Sequence, residues 1–535
     1  MFWYRRWQRK IGQTVRITAI LLLLLALSAA IWTSSQAQRQ TLVVATGDTF
    51  EENDPSRATS LNSRRSLYCV YETLVRPGKR PGEVIPWLAE RWQCDARQRV
   101  WVFYLRRNVF FHDGTELNAR TVADALQRSW GMEGMYSGSF SHHRALLGER
   151  GRPLLQKAEA VENYAVRVEL RKPIADFLEI LAQPALAITI VSPKSSGEHR
   201  VLCGTGPYKI EEVRLGQRLV LGRFDKYWRH LPIWKRIVFW HVEKAAWRSR
   251  CIERGYADIA IAVDWHDLER LKRHPRLKAV AHPGQAYWSL MLNCSRTPFQ
   301  DIRCRLGLQY AFDKAALVKK FWGDNGYTAE ACLPSSSWAY PRDLEMRTYD
   351  PLKARSWFAK VYGKDIYRHN EKAELLYEEL SPLDDSCQQV AECVAQAMDD
   401  AGLNAQIVGV QREDYLRRLA TGMFQIALVM NEHSLSDPDV ELSMQWSESD
   451  GINGLVNIPN YSSERLIQAL NEARSVPTRE GRRRAYFRAV HFLHEGAAEV
   501  PLAWSSVFSV YRADMHGFSV NRLNMIDFSG AAFRQ

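Results

Sequence analysis

Pro86-Trp-Leu-Ala-Glu-Arg-Trp92, Val100-Trp-Val-Phe-Tyr-Leu-Arg106, Val109-Phe-Phe-His-Asp-Gly-Thr115 and Leu117-Asn-Ala-Arg-Thr-Val-Ala-Asp-Ala-Leu126 are the four neighbouring runs whose reading decides the fold. The aromatic and β-branched run Val100 to Leu105 is short and bounded by charge, which predicts a strand. His112-Asp113-Gly114 supplies a turn, with glycine free to take positive φ. Asn118 is placed to cap a helix in which Val122, Leu126 and Trp130 recur at helical spacing and face a core.

On the amino-terminal side, Arg5, Arg6, Arg9, Lys10 and Arg16 precede an uncharged run from Ile17 to Ala37. Basic, then apolar, then small residues is the order of a secretory signal, and Ser35-Gln36-Ala37 fits a cleavage site that leaves Gln38 first. The competing reading is an uncleaved inner-membrane anchor over 17–33, only slightly shorter than the ~17–25 residues of a spanning helix. No cysteine precedes Cys69, which excludes an amino-terminal lipoprotein anchor. The expected location is therefore periplasmic or extracytoplasmic.

The 535 residues are 46% hydrophobic and 25% charged, the balance of a globular chain, and exceed the ~250–300 residues at which one core stops growing. The net charge of +12 falls to 12 − 5 = +7 without residues 1–37, and no basic tract is interleaved with aromatics as a nucleic-acid module would require. Nine cysteines leave at least one thiol free; there is no C-x-x-C pair, and Cys294 and Cys304 flank a loop across which they can meet.

Further along, Thr41–Ala45 reads as a buried strand, Leu67–Val75 as a helix, and Tyr208–Val213 with Arg218–Gly222 as a hairpin. Ile237–Val242, Asp258–Ala262, Tyr287–Asn293, Ala373–Tyr377, Ala405–Val410 and Phe424–Met430 read as strands of an α/β architecture. Between them, Asp301 is expected to cap a helix with Ile302, Leu306 and Tyr310 inward, and Cys387, Val390, Ala391, Val394 and Met398 trace one helical face.

These runs resemble the signature of the family 5 extracellular solute-binding proteins, the peptide and nickel receptors of ABC importers. Leu88-Ala89, Trp92, Phe103, Leu105-Arg106, Val109, Phe111 to Gly114, Ala119 and Val122 match it, while the family's acidic residue before that valine is Thr121 here. Asp54-Pro55, Tyr71-Glu72, Gly204-Thr-Gly-Pro-Tyr208, Tyr227-Trp228, Pro298-Phe299 and Tyr310-Ala-Phe-Asp-Lys314 match further family words, so the likeness spans roughly residues 41–518. It implies a two-lobed, periplasmic-binding-protein-like α/β fold (class II Venus flytrap) with an extra subdomain in lobe I. The implied division is a signal or anchor over 1–37, lobe I in 38–75, 184–242 and 501–535, the extra subdomain in 76–183, and lobe II in 243–500.

The implied function is capture of a small, peptide-like solute between the lobes and delivery to an ABC permease, by a monomer without cofactor or nucleic-acid partner. A membrane-tethered sensor and a cell-envelope enzyme are the rivals; against the second, there is no G-x-S-x-G elbow, H-E-x-x-H or P-loop, and His142-His143 is an adjacent pair whose side chains diverge. In the family's peptide receptors the strand ending at Met430 leads into an Asp that holds the peptide α-ammonium; that position is Ser434 here, and a neutral hydroxyl cannot replace the charge-assisted bond. Glu432 lies two residues away, on the same face of an extended segment. Glu51, Tyr287, Asn431, Glu432, Ser434 and Trp446 are thus the candidate ligand-binding residues.

Overall fold

In a computed structural model, Thr41–Thr46 forms strand β1, with Leu42, Val44 and Ala45 buried. The structure describes residues 40–533 apart from 48–52, 57, 59–60, 81, 131–153, 175, 193–201, 364–371, 380–385, 433–437, 447–456, 477 and 522–524. His142, His143 and the side chain of Trp130 lie outside the described residues. Helix α1 spans Leu61–Leu67, so the helix expected over 67–75 ends where it was to begin. The chain instead turns after Leu67 and becomes extended at Val75–Pro77, because Tyr71 and Glu72 are drawn into a buried polar knot.

The alternation of Val100–Leu105 makes strand β3, with Trp101, Phe103 and Leu105 inward. It pairs antiparallel with β2 (Ala89–Cys94) and β5 (Ala165–Leu170), and β4 (Leu155–Glu162) completes a four-stranded sheet of order β2-β3-β5-β4. Helix α2 (Ala119–Trp130) buries Val122 and Leu126 in the same core. Asn118 caps it reciprocally: its Oδ1 accepts from the Thr121 N–H at 3.0 Å, and the Thr121 hydroxyl oxygen accepts from the Asn118 N–H at 3.0 Å. Thr121 thereby closes the capping box that an acidic side chain more often closes. Helix α3 (Phe177–Leu181) packs Phe177 against Trp101 at 5.4 Å between ring centroids.

Glu72 is the centre of the knot. Its buried carboxylate accepts hydrogen bonds from Trp87 Nε1 (2.7 Å), Thr205 Oγ1 (2.9 Å), Tyr227 Oη (2.9 Å) and Trp228 Nε1 (2.9 Å), and Arg76 lies 3.8 Å away. Arg76 is held over the rings of Trp87 and Tyr68, 3.6 and 4.3 Å from their centroids. His112 joins the same region through a 3.0 Å bond to the Gly206 carbonyl and a backbone bond to Gly204. A Cβ on Gly204 or Gly206 would meet the Val70 carbonyl oxygen at 2.2 or 2.6 Å, so glycine alone allows this approach.

Ten further strands join β1 in one eleven-stranded sheet. In chain order they are β6 (Tyr208–Arg214), β7 (Arg218–Arg223), β8 (Arg236–His241), β9 (Ile259–Ile261), β10 (Leu277–Leu292), β11 (Gly326–Thr328), β12 (Ala373–Glu378), β13 (Ala405–Val410), β14 (Ile426–Glu432) and β15 (Glu499–Arg512). The order is β6-β7-β8-β1-β9-β15-β10-β14-β12-β13, with β11 beside β15. Beta-strands 8, 1 and 9 run parallel, as do β14, β12 and β13, while the long antiparallel pair β10 and β15 joins the two groups. The result is a two-lobed α/β fold, the fold class the resemblance implied. In lobe II the strand residues divide by parity: Trp288, Leu290 and Leu292 enter one core, Tyr287 and Met291 the other.

Among the helices of this half, α4 (Ile302–Tyr310) is capped by Asp301, whose carboxylate accepts from the Arg303 N–H, as expected. Its inward face is Cys304, Arg305, Leu308 and Gln309, whereas Ile302 is exposed and Leu306 and Tyr310 are half-buried. The helix is turned by Arg305, whose guanidinium is buried against the carbonyls of Phe299, Gln300 and Gly496. Helix α5 (Cys387–Asp400) buries the five residues expected of it. Cys294 and Cys304 remain free thiols.

Removing the Glu72 acceptor would leave four donors without it, and each unsatisfied buried group costs ~1–3 kcal/mol. Glu72→Ala is expected to destabilise lobe I by about 3 kcal/mol or more. Urea unfolding followed by tryptophan fluorescence measures this; an unchanged midpoint would contradict the role given to Glu72.

Candidate functional site

The register of the central strands places the site. From one side, β9 ends at Ile261, level with Val280 of β10 through Ser509 of β15, and its parallel neighbour β1 runs the same way. From the other side, β14 ends at Glu432, level with Ala286. The carboxyl ends of both parallel groups therefore point at the β10 residues between Val280 and Ala286. Ligands of open α/β sheets collect at the carboxyl ends of parallel strands. In this interval the β10–β15 pairing is irregular, between His282 and Ala286.

Two cross-strand rows floor the lobe II side. Asn431, Tyr287, Trp504 and Tyr327 lie side by side on β14, β10, β15 and β11, followed by Glu432, Ala286, Ser505 and Gly326. Tyr287 is fully buried and stacked on Trp504 with centroids 4.6 Å apart. Trp446, at the end of helix α6 (Pro438–Trp446), is buried in the same core, edge-on to Tyr461. Tyr287 and Trp446, both expected at the cleft, are buried side chains of this core. Asn431 is half-buried, one level before the last pair of β14. Glu432 ends the strand, and its side chain lies outside what is described, as do Glu51 and Ser434 altogether. β14 ends at Glu432 and β1 at Thr46, at the two carboxyl edges.

The sequence reading missed three groups here. His282 sits in the interval itself, half-buried, and burial with the nearby Arg65 charge pushes its imidazole down to about 4. Arg65, on α1, is buried from the lobe I side. Glu499, behind Tyr287, is pushed up to about 7 by burial, against opposing hydrogen bonds from Tyr287 and Cys332 and the Lys314 charge. None carries a local sequence signal, because each acquires its environment from strands or helices distant in the chain.

Residues 83–453 match the model of the bacterial extracellular solute-binding proteins, family 5. The chain belongs to that family. It is 26% identical over 534 residues to the dipeptide-binding protein of Escherichia coli K12, covering 94% of this chain and 96% of that one. It is 24% identical to heme-binding protein A of Haemophilus influenzae, covering 86% of each. Among solved structures, the dipeptide-binding protein of Pseudoalteromonas sp. SM9913 in complex with Met-Leu superposes with a TM-score of 0.82 at 20% identity, over 92% of this chain and 100% of that one, a likeness of fold. The protein is a solute-binding protein, and its relatives are binding proteins.

Burial holds His112, His282 and His494 neutral, each down to about 4; for His112 the Gly206 carbonyl opposes the shift, and for His494 nearby Arg347 adds to it. Depressed folded-state values mean that the unfolded chain binds protons first, so stability is present above ~6.5 and lost as pH falls toward 4. Glu499 has the opposite sign, its contribution being lost as pH rises through about 7. Urea midpoints should fall between pH 6.5 and 4, and more steeply in Glu499→Gln. A flat profile in that variant would contradict the histidine assignment.

Proposed function

We propose that this chain captures a peptide-like solute between its lobes and hands it to the membrane permease of an ABC importer. The observation that carries the reading is the convergence of two sets of strand carboxyl ends on the interval Val280 to Ala286, within a family of solute-binding proteins. The protein acts as a monomer, and Glu51, Asn431, Glu432 and Ser434 contribute ligand contacts from the two edges. Lobe closure around the solute follows from contacts that form only when both edges meet it.

The division into lobes falls inside the long strands. The segment 245–276 packs with β1 and β15 in a core containing Ala45, Ile252, Ala260, Leu271 and Phe508. We therefore draw the lobe boundary within β10 at residues 283–285 and within β15 at residues 506–508, and not at 243 and 501. The extra subdomain corresponds to the four-stranded sheet and its two helices.

Ser434 shapes the choice of solute. A buried ammonium deprived of its charged partner typically loses ~2–5 kcal/mol, or roughly 30- to 5,000-fold in affinity. The ligand therefore lacks or masks a free amino terminus, unless Glu432 supplies the anion. Calorimetry with Met-Leu, its N-acetyl derivative and a tripeptide, on wild type, Ser434→Asp and Glu432→Gln, tests this. Micromolar binding of Met-Leu that survives Glu432→Gln would overturn it; binding gained only in Ser434→Asp supports it.

Export with cleavage after Ala37 is the second element. Amino-terminal sequencing of protein recovered from cells should begin at Gln38, whereas an intact Met1 in the membrane fraction would favour the tethered form.

A further inference from the structure

The positive excess of this chain sits in one stretch. Residues 209–254 hold twelve Lys and Arg against five Asp and Glu, an excess of seven, which equals the whole excess of residues 38–535. The stretch runs through the β6–β7 hairpin, β8 and the helix Ala245–Glu253. It also holds large apolar side chains out in water. Leu215, at the hairpin tip between Arg214 and Arg218, is 68% exposed, Trp247 is 53% exposed and Trp240 38%.

The strand register gathers these groups at one end of the lobe I sheet. Arg218 of β7, Trp240 of β8 and Ala45 of β1 lie side by side, and two residues along the strands Val220, Val238 and Val43 follow on the same face. The helix Ala245–Glu253 closes over Ala45 with Cys251 and Ile252. Its cover stops there, since Trp240 is exposed and Val220 and Val238 are half-buried. The His241 N–H donates to the Gln217 carbonyl at 2.8 Å, which ties the hairpin tip to the end of β8. Trp247 lies in the first turn of the helix, with the Arg250 guanidinium 5.2 Å from its ring centroid. Lys244, Arg250 and Arg254 are exposed, and Glu212 is shared by Arg214 and Arg218. His241 is level with Thr46, so this is the carboxyl end of β8 and β1, the end on which the solute interval lies.

A single exposed apolar side chain needs no explanation. Three of them, set among the cations that carry the net charge of the chain, match one kind of surface. The centre of a protein–protein interface is depleted of Lys, whereas the water–lipid boundary takes Trp and Leu into the headgroup layer and leaves Lys and Arg among the phosphates. We propose that Leu215, Trp240 and Trp247, with Arg214, Arg218, Lys244, Arg250 and Arg254 around them, bind an anionic phospholipid surface. Attraction between the basic stretch and the phosphates brings the protein to the bilayer, and burial of the apolar side chains holds it there. The carboxyl end of the lobe I sheet is thereby kept at the membrane, where an importer takes up its solute.

Co-sedimentation of the chain from Gln38, which contains every described residue and lacks the apolar run 17–37, tests this. The probes are protein-free vesicles of phosphatidylcholine, alone or mixed with phosphatidylglycerol. Binding should be at least about tenfold stronger to the mixed vesicles. It should fall steeply between ~0.1 and ~1 M salt, where the Debye length drops from about 10 to about 3 Å. Leu215→Ser and Trp247→Ser should each weaken it about threefold or more, and Lys244→Gln with Arg250→Gln about tenfold or more. Leu215→Met should bind as wild type, and so should Leu352→Ser, which alters an equally exposed leucine of lobe II. All of these positions are exposed, so melting temperatures should stay at the wild-type value. The proposal is overturned if the mixed vesicles do not bind the chain, if the 215 and 247 variants bind as wild type, or if Leu352→Ser is as harmful as Leu215→Ser. Self-association that Leu215→Ser abolishes would assign the patch to a second copy of the chain, and binding to protein-containing inner-membrane vesicles without binding to pure lipid would assign it to a membrane protein; either result overturns it. No solute enters the measurement, so its failure leaves the solute-binding reading intact.

Discussion

A buried carboxylate with four neutral hydrogen-bond donors and a cation within reach is the constraint on which lobe I depends. Glu72 takes its bonds from Trp87, Thr205, Tyr227 and Trp228, which come from three separate stretches of chain. A buried anion is tolerated only when its acceptor sites are filled, so the segments that fill them cannot drift independently. Arg76 extends the knot to the carboxyl-terminal segment through Asp527 at 3.4 Å. The four-stranded unit, the glycine turn at 204–206 and the Tyr227-Trp228 segment are thus pinned to one point.

The second constraint is topological. Two parallel groups of strands cannot meet end to end in one sheet without something running through both, and β10 and β15 do so as an antiparallel pair. Their shared interval then becomes the place where strand ends, and the loops that leave them, converge from both lobes. Binding needs no catalytic group there. It needs backbone edges that approach from two bodies, and a floor stiff enough to hold them; the stacked Tyr287 and Trp504 and the Trp288–Ser505 hydrogen bond of 3.1 Å supply that stiffness.

Charge is distributed according to the same division. Within each body, buried ions are surrounded by fixed partners: Asp258 by the Val43 N–H and Arg512, Arg305 by three carbonyls.

Local pattern determined much of this protein by itself. The alternation in Val100–Leu105, the cap at Asn118, the five-residue face of Cys387–Asp400 and the strand reading of 405–410 and 424–430 depend on period and near neighbours, and they were legible. The family words could be recognised, but their purpose could not: His112 meets Gly204 and Gly206, and Glu72 meets Thr205, across more than 90 residues of chain. Leu67–Val75 was misread as a helix because its apolar spacing is helical while Glu72 needs partners only an extended turn can reach. Tyr287 on β10 and Trp446 on α6 are buried, which aromatic composition by itself does not reveal. His282 and Arg65 carry no sequence signal at all. Burial and pairing are properties of the assembled lobes, and only the tertiary structure, by bringing distant segments within a few ångströms, decided them.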